Sequence, residues 1–384
     1  MQLTGPQHRR FYDLLLQAFP SYPELERMVF FGLGENLAEI IATTNLRETV
    51  YELLKWTRAH DRDGELVAAA VEANGTHQAL RAFAIEVGVL TAPKPTDSVP
   101  PPSLNEPAYR TLIVDPLRRA GHYTTISAAI MAATPGDRIL VRPGNYTERL
   151  LLNKPLEIIG DGERAEIVVQ ANGSNVILFQ TSIARVQNLT LRQTGGSSWR
   201  ATGWFGVDIQ QGRLELEDCD IRSTSLACVA IHHGADPRLR RNLIHDGKEG
   251  GVYIYNNGQG LLEDNDIFAN AFSGVHIKTG GNPTLRRNRI HDGKASGVYI
   301  NKNGQGLLED NDITANAGDG VEIRSEGNPT LRGNRIHKND YWAVWIYSGG
   351  AGLFENNDLR DNVRGAWDID PACLPNVKRS GNIE

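Results

Sequence analysis

The sequence predicts a multidomain protein in which a small all-α helical bundle precedes an all-β parallel β-helix of about ten coils of ~23 residues each. The composition changes near residue 90, from a region rich in Leu, Ala, Glu and Arg to one rich in Gly, Asn and Asp. Beyond that point, segments such as GNPTLRRNRIHDG recur at a spacing of 46, with GLLEDNDI segments halfway between them. We therefore expect a helical domain at 1–90, a Pro-rich linker at 91–107, and a β-helix with an N-terminal capping helix at 108–384.

Composition and charge exclude several classes of protein. The chain has 384 residues, 40% of them apolar, which is enough for a core, and its net charge of −6 argues against binding to a nucleic-acid backbone. Its three cysteines include no C-x-x-C pair, so neither a disulfide framework nor a zinc site is expected. The chain has no apolar run long enough to span a membrane, and MQLTGPQHRR has no signal core. We expect a cytoplasmic protein with no cofactor, metal, nucleic acid or membrane partner.

The first 90 residues have the apolar spacing of about five packed helices, and Pro6 suits a first helical turn. Asn45 and Glu48 have the spacing of a capping box. We expect Asp61 or Asp63 to cap the following helix and Thr76 the one after. The apolar residues expected to pack together form two groups, one being Phe11, Leu14, Leu15 and Ala18, and the other Val50, Leu53, Leu54 and Trp56.

The LTGPQ opening and the TVYELLKW block carry a family resemblance that covers nearly all of residues 1–86. This region resembles the type-1 effector-associated domain of bacterial conflict systems, a small helical domain compared with death-fold adaptors. The resemblance implies homotypic pairing with a similar domain on another protein, typically a protease or a signalling NTPase, and it implies no catalysis. Without the resemblance, the same residues would indicate only a generic helical bundle.

The second region has aliphatic, polar and charged positions that each repeat every 23 residues. We call each set of residues that are 23 apart a column. Four aliphatic columns with strand-like alternation predict short strands that stack from coil to coil, for example at Leu239, Ile244, Val252 and Ile254. An asparagine column predicts a ladder at a turn, with Cys219 taking its place one coil earlier: Asn242, Asn265, Asn288, Asn311, Asn334 and Asn357. Outward columns alternate in charge and predict a solvated structural face: Arg240, Glu263, Arg286, Glu309, Arg332, Glu355 and Lys378, with Asp266, Arg289, Asp312, Arg335 and Asp358 in a further column.

The segment YTTISAAIMAATPGDRILV has the pattern of a short amphipathic helix followed by strands, which would cover the open end of the first coil. This segment and the coils, over about residues 109–384, resemble the right-handed parallel β-helix superfamily of pectate-lyase-like proteins. The resemblance implies a right-handed coil and, in some members, polysaccharide chemistry.

Candidate binding residues lie on the strand with the pattern GVxI, where Val and Ile should point inward and the residue between them outward. A neighbouring column at the end of that strand adds further polar and aromatic residues, and Trp199, Trp204 and Phe205 interrupt the repeat in a loop before it. Exposed aromatic and polar groups suit a sugar or a peptide, although Tyr and Trp also favour ordinary strand surfaces. The candidate binding residues are Tyr253, Tyr255, His276, Lys278, Tyr299, Glu322, Trp345 and Tyr347.

Catalysis on this fold would need paired carboxylates, and Glu322 and Asp368 are the candidates. They lie two coils apart in one column, roughly 10 Å, with Trp345 between them. The sequence therefore favours a non-catalytic adaptor or sensor, whose helical domain recruits a partner and whose β-helix recognises a glycan or a protein. The alternatives are a polysaccharide lyase or hydrolase with a targeting domain, and a self-assembling scaffold.

Overall fold

The computed structural model divides into two compact units, Met1–Asn105 and Glu106–Glu384. The predicted linker at 91–107, Thr76 and Trp199 lie outside the described residues. The structure describes residues 3–19, 25, 26, 28, 29, 33, 35, 37–41, 45–74, 78–89, 110–117, 121–196 and 203–384.

The first unit is helical, as the sequence predicts, and its described helices pack around one apolar core. The buried residues include both predicted groups except Trp56, which is half-buried and contacts His60 and Arg62 instead. Trp56 lies at the edge of the buried face because Val50, Leu53, Leu54 and Thr57 occupy its centre. The helices are α1 (Gly5–Ala18), α2 (Leu37–Ile40), α3 (Leu46–Ala59), α4 (Asp63–Ala73) and α5 (Gln78–Glu86).

The predicted N-cap of α3 is confirmed, but the predicted cap of α4 is wrong. The Asn45 side chain accepts hydrogen bonds from the backbone N–H groups of Arg47 and Glu48, at 3.1 and 3.3 Å. The residue at the N-cap of α4 is Arg62, and no side chain caps that helix.

Asp63 is instead a buried structural carboxylate, with only 1% of its surface exposed. It accepts hydrogen bonds from the Leu3 backbone N–H at 3.0 Å and from the Thr57 hydroxyl at 3.1 Å, and it lies 2.9 Å from His8 Nε2. Burial of a carboxylate demands such partners, and these three groups supply them from outside α4. Asp63 therefore joins the start of α1, the end of α3 and the start of α4.

The second unit is a right-handed parallel β-solenoid built from three sheets, here named A, B and C. Short 3-10 helices at Arg164–Glu166 and Leu374–Asn376 interrupt the coils. Sheet A contains β1 (Thr111–Val114), β2 (Arg138–Val141), β5 (Glu157–Gly160), β8 (Ile183–Gln187), β11 (Arg213–Glu217), β14 (Arg238–Arg240), β17 (Leu261–Glu263), β20 (Thr284–Arg286), β23 (Leu307–Glu309), β26 (Thr330–Arg332), β29 (Gly352–Glu355) and β31 (Val377–Ser380). Sheet B contains β3 (Gly144–Thr147), β6 (Ile167–Asn172), β9 (Thr190–Thr194), β12 (Asp220–Ser223), β15 (Leu243–His245), β18 (Asp266–Phe268), β21 (Arg289–His291), β24 (Asp312–Thr314) and β27 (Arg335–His337). Sheet C contains β4 (Leu150–Leu152), β7 (Ile177–Phe179), β10 (Val207–Ile209), β13 (Val229–Ile231), β16 (Val252–Ile254), β19 (Val275–Lys278), β22 (Val298–Asn301), β25 (Val321–Arg324), β28 (Trp342–Tyr347) and β30 (Gly365–Ile369).

Residues 23 apart pair directly between successive coils, which confirms the predicted columns. Leu239 pairs with Leu262, and Val252 pairs with Val275. These aliphatic residues are buried in one continuous core that runs through the solenoid. At its N-terminal end, α6 (Ile126–Ala132) packs against β1, β2 and β4 and buries Ile126, as the predicted capping helix should.

The asparagine ladder forms as predicted. The side-chain amide of Asn265 donates to Asn288 Oδ1 at 2.9 Å, and that of Asn288 donates to Asn311 Oδ1 at 3.0 Å. Cys219 is buried at the same level, where its backbone N–H donates to Asn242 Oδ1. A second ladder, at the turn from sheet B to sheet C, was not predicted and joins Asn316, Asn339 and Asn362.

The outward charges pair between coils along sheet A but not along sheet B. Arg286 lies 2.8 Å from Glu309, and Arg332 lies 2.9 Å from Glu355, as expected. Lys378 does not continue this column, because it pairs in register with Leu353. In the predicted sheet B column, Asp266 and Asp312 contact histidines of the next coil, His291 and His337, instead of the arginines. Asp220, two coils before Asp266, contacts His245 in the same way.

No helix in the described part of the chain has both the length and the apolar character needed to cross a membrane.

Candidate functional site

The outer surface of sheet C carries the predicted binding residues in two parallel rows. The first row is in register, so Tyr253, His276, Tyr299, Glu322, Trp345 and Asp368 each pair with the next. Val and Ile on either side are buried, and the residues of this row from Tyr253 onward remain accessible. We call the following residues the sheet C face: Tyr253, Tyr255, His276, Lys278, Tyr299, Asn301, Glu322, Arg324, Trp345, Tyr347 and Asp368.

The second row lies on the same side of the sheet as the first. Residues 25 apart contact each other diagonally, because alternate residues of a strand share a face. The Tyr347 hydroxyl donates to Glu322 Oε1 at 2.8 Å, and His276 Nε2 lies 3.3 Å from Asn301 Oδ1. The structure therefore brings the candidate residues from both columns into one continuous surface.

The half of this face nearer the N-terminus is a run of aromatic rings. The Tyr253 ring centroid lies 4.6 Å from that of Tyr255 and 5.1 Å from that of His276. His276 in turn stacks on Tyr299 at 4.6 Å. Lys278 Nζ lies 4.9 Å from the Tyr253 ring centroid, a cation–π distance. These contacts hold the rings in fixed orientations with part of each surface accessible.

The other half is a charged and aromatic cluster around Glu322. Both of its carboxylate oxygens are occupied, one by Tyr347 and the other by the Ser296 hydroxyl at 3.0 Å. Burial and the hydrogen bond to Glu322 raise the pKa of Tyr347. Trp345 stacks on Tyr347, with ring centroids 4.0 Å apart.

Arg324 joins the two halves of the sheet C face. Its guanidinium lies 5.3 Å from the Tyr299 ring centroid and 5.6 Å from that of Tyr347. Its Nε–H also donates a hydrogen bond to the Tyr299 hydroxyl. A cation between two rings holds both of them in place.

Two cavities open along this face, beside the turn that leads from sheet B into sheet C. The first, of 300 Å³, is lined by Tyr253, His276 and Tyr299 together with Phe272, which is 60% exposed. The second, of 350 Å³, is lined by residues of the later coils, namely Lys294, Ala295, Ser296, Ala317, Gly318, Asp319, Tyr341, Trp342, Trp345, Arg364 and Asp368.

Asp319 in the second cavity is a functional candidate that sequence reasoning missed. It is only 4% exposed, and its Oδ1 accepts the Trp342 backbone N–H at 3.0 Å. Burial, followed by the nearby Glu322 charge, raises the pKa of Asp319 to about 6. A carboxyl group with a raised pKa in a cavity is a recurrent mark of functional sites.

The sequence contained one signal for Asp319. The equivalent position in earlier coils holds Gly250, Ser273 and Ser296, so the repeat changes from small residues to a carboxylate and then to Trp342. This change coincides with the second cavity.

The two carboxylates of the predicted catalytic pair have different surroundings. Trp345 separates Glu322 from Asp368 in the register of sheet C. Glu322 accepts hydrogen bonds from Ser296 and Tyr347, whereas Asp368 lines the second cavity.

Trp204 and Phe205 lie in the segment that enters β10 of sheet C. In the described part of the chain, no group of three or more His, Cys, Asp or Glu side chains is placed to hold a metal ion.

Known family models match both the helical and the β-helical part of the chain. The right-handed β-helix region model matches residues 174–306 and 273–380, and the effector-associated domain 1 model matches residues 1–88. An F-box protein, SKIP5 of Arabidopsis thaliana, is 29% identical over 141 residues, which are 34% of this chain and 48% of that protein. The chain thus spans about half the length of this curated relative.

Among solved structures, pectate lyase Pel9A aligns with a TM-score of 0.52 and 14% identity, over 71% of this chain and 79% of the lyase. The A-module of the Azotobacter vinelandii mannuronan C-5 epimerase AlgE6 aligns with a TM-score of 0.41 and 17% identity, over 67% of this chain and 93% of the module. At these identities the likeness to the lyase concerns the fold alone. The chain belongs to the right-handed β-helix family and carries an effector-associated domain 1 at its N-terminal end.

Proposed function

We propose that this protein is a non-catalytic adaptor of a bacterial conflict or signalling system. Its helical domain recruits a protein that carries a similar effector-associated domain, such as a protease or an NTPase. Its β-helix binds a glycan on the sheet C face. The sheet C face is the observation that carries the proposal, because it combines accessible rings, polar groups and two cavities on a rigid surface.

The chemistry of the face suits a sugar. Sugar rings pack their C–H surfaces on aromatic faces and use their hydroxyls for hydrogen bonds, so a binding surface needs both kinds of group in alternation. Tyr253, Tyr299 and Trp345 supply rings, while Lys278 and Asp368 supply polar groups. Because neighbouring rings already fix each other, binding orders few side chains, and this lowers the entropic cost of binding.

Binding without turnover is supported by the state of the carboxylates. Glu322 is held by two hydroxyl donors and is separated from Asp368 by an indole ring. An inverting pair needs two carboxyl groups that face one bond across roughly 6.5–9.5 Å. The arrangement of Glu322 and Asp368 favours a structural role for Glu322.

The test is binding of defined oligosaccharides to the full-length protein, measured by calorimetry. We expect Trp345→Ala to weaken binding by roughly two- to tenfold, since a stacked ring contributes roughly 0.5–1.5 kcal/mol beyond its buried area. Phe268→Ala is the matched control, because Phe268 is a half-buried, stacked ring on the outer surface of sheet B. Equal binding by both variants and the unchanged protein would refute a sugar site on the sheet C face, and a protein ligand would then be tested.

One observation favours the enzyme alternative. Asp319 and Asp368 line the same cavity, and a carboxyl with a pKa of about 6 has the protonation behaviour of a general acid. If the protein is a hydrolase, oligosaccharide products will accumulate with the unchanged protein and not with Asp319→Asn. Intact oligosaccharide recovered from both proteins would exclude this alternative for the sugars tested.

A further inference from the structure

Two consecutive histidines follow β13, where the chain turns from sheet C into sheet A. His232 is only 5% exposed, whereas His233 is exposed. Successive side chains of a strand point to opposite faces, but His233 has left the strand and adopts a left-handed backbone conformation with a φ of 53°. The two rings meet on one side of the turn, with their centroids 4.5 Å apart and their Nδ1 atoms 2.9 Å apart.

The buried ring of this pair is oriented by a carboxylate. His232 Nε2 lies 2.8 Å from Asp208 Oδ1. An ionised carboxylate can only accept hydrogen bonds, so Nε2 carries the proton and Nδ1 of the same ring presents a lone pair. The Tyr255 ring stacks on His232, with centroids 4.7 Å apart and an angle of 15° between the planes. The His232 Nδ1 lone pair therefore has a fixed direction, toward His233.

Asp208 is itself held in place behind the histidine. It is 6% exposed, and its Oδ2 accepts hydrogen bonds from Asn175 Nδ2 at 3.2 Å and from Gln210 Nε2 at 2.9 Å. The arrangement interrupts the repeat, because the next two coils have Ala230 and Tyr253 at the position of Asp208. A carboxylate bound to the far nitrogen of an imidazole is the arrangement that orients histidines toward a metal ion and makes them more basic.

The separation of the two Nδ1 atoms matches that of two ligands of one metal ion. Imidazole nitrogens bind metal ions at about 2.0–2.1 Å, so two of them at right angles lie about 2.9 Å apart, and two in a tetrahedral site about 3.3–3.4 Å apart. The observed 2.9 Å fits the right-angle geometry that Cu²⁺ and Ni²⁺ adopt. His233 also lines an open cavity beside Gly234 and Asn256, which gives water access to the remaining ligand positions.

We propose that His232 and His233 form a binding site for a divalent transition-metal ion such as Cu²⁺. Both Nδ1 atoms are the ligands, and Asp208 is a positioning residue. When the ion binds, the proton on His233 Nδ1 moves to Nε2 of the same ring, and the exposed ring turns its Nδ1 toward the ion. The site has two protein ligands, so it is smaller than the groups of three or more side chains considered above. It is independent of glycan binding and of partner recruitment.

The test is titration of Cu²⁺ into the full-length protein without an affinity tag, by calorimetry in a buffer that contains glycine as a competing ligand. We expect the unchanged protein to bind one Cu²⁺ at this site, and His233→Ala to bind it at least about tenfold more weakly, because one of the two protein ligands is lost. Asp208→Asn keeps both ligands but loses the carboxylate, so its affinity should fall by about 10–100-fold. His122→Ala is the matched control, since His122 is an exposed histidine of the same unit whose Nδ1 accepts the Ile113 backbone N–H.

Electron paramagnetic resonance of the bound Cu²⁺ separates a ligand from a merely structural residue, because coupling to nitrogen reports the number of imidazole ligands. We expect two in the unchanged protein and in Asp208→Asn, and at most one in His233→Ala. Circular dichroism of each variant without metal controls for folding. The proposal is overturned if the unchanged protein binds no Cu²⁺ in the presence of glycine, if His233→Ala binds it as tightly as His122→Ala does, or if the spectra of the unchanged protein and His233→Ala are the same.

Discussion

Substitution of one asparagine in the ladder tests whether polar stacking, and not only the aliphatic core, holds the coils together. Asn288 is about 1% exposed, and its side chain takes part in four hydrogen bonds. It donates to the Leu262 carbonyl and to Asn311, and it accepts from the backbone and side chain of Asn265. Asn288→Ala leaves these buried partners unsatisfied, at roughly 0.5–1.5 kcal/mol for each bond. We expect the free energy of unfolding of the β-helix to fall by about 2–4 kcal/mol.

The assay is denaturant unfolding combined with hydrogen exchange. Because a solenoid is stabilised mainly by contacts between neighbouring coils, exchange should increase in β17, β20 and β23 and change little in β5. Asn328→Ala is the matched control, since Asn328 is exposed. The reasoning is refuted if Asn288→Ala lowers stability by less than about 0.5 kcal/mol, or by no more than the control does.

Three further predictions concern buried polar and ionisable groups. Asp63→Ala removes the acceptor for three groups and should lower the stability of the helical domain by about 2–4 kcal/mol. Asp13→Ala, at an exposed position of α1, is the control and should change it by less than about 0.5 kcal/mol, as circular dichroism melts would show. Burial lowers the pKa of His245, but hydrogen bonds to Asp220 and Asp246 raise it by more, so the net shift is upward. Because the pKa of His245 is higher in the folded protein than in the unfolded chain, the protonated side chain stabilises the fold. This stabilisation is fully present below the unfolded-state pKa near 6.5 and is lost as the pH rises through the folded-state pKa. Relative to His245→Gln, the unchanged protein should therefore gain stability from pH 8 to pH 6, and parallel stability curves would contradict this. Burial raises the pKa of the Cys219 thiol to about 12 and raises that of Cys228 further. Neither thiol should therefore react with iodoacetamide at pH 8 until the β-helix unfolds. Mass spectrometry of the native protein after treatment would detect any modification.

The periodic features of the fold could be predicted because each inward position of a solenoid meets the same position of the next coil. This rule makes Leu239, Leu262 and their equivalents equally buried, and it requires polar turn residues such as Asn242 to satisfy one another. A repeat of 23 residues therefore specified the columns, their register and the ladder together. The outward direction of Tyr253 and Trp345 followed from the same alternation.

Features that depend on diagonal or non-repeating contacts could not be predicted in this way. The contact of Asp266 with His291 joins residues 25 apart, whereas a period of 23 indicated Arg289 as the neighbour of Asp266. Asp319 occupies a column in which Ser273 and Ser296 are also buried, so its place in the repeat alone gave the carboxylate no special status. In the helical domain, the local sequence predicts Asp63 as a cap, because two of its three partners, Leu3 and His8, lie more than 50 residues away in the chain.

The most direct test of the adaptor role is capture of partners from a native lysate of the source organism, with the full-length protein as bait. Leu53→Asp is the negative control, because Leu53 is fully buried and a charge there disrupts the helical domain while the β-helix stays intact. Trp345→Ala is the matched control, because it changes the sheet C face of the β-helix and leaves the sequence of the helical domain unchanged. We predict that the unchanged protein and Trp345→Ala both enrich a protease or NTPase that carries its own effector-associated domain, and that Leu53→Asp does not. If no protein with such a domain is enriched above the Leu53→Asp bait, the adaptor role is contradicted.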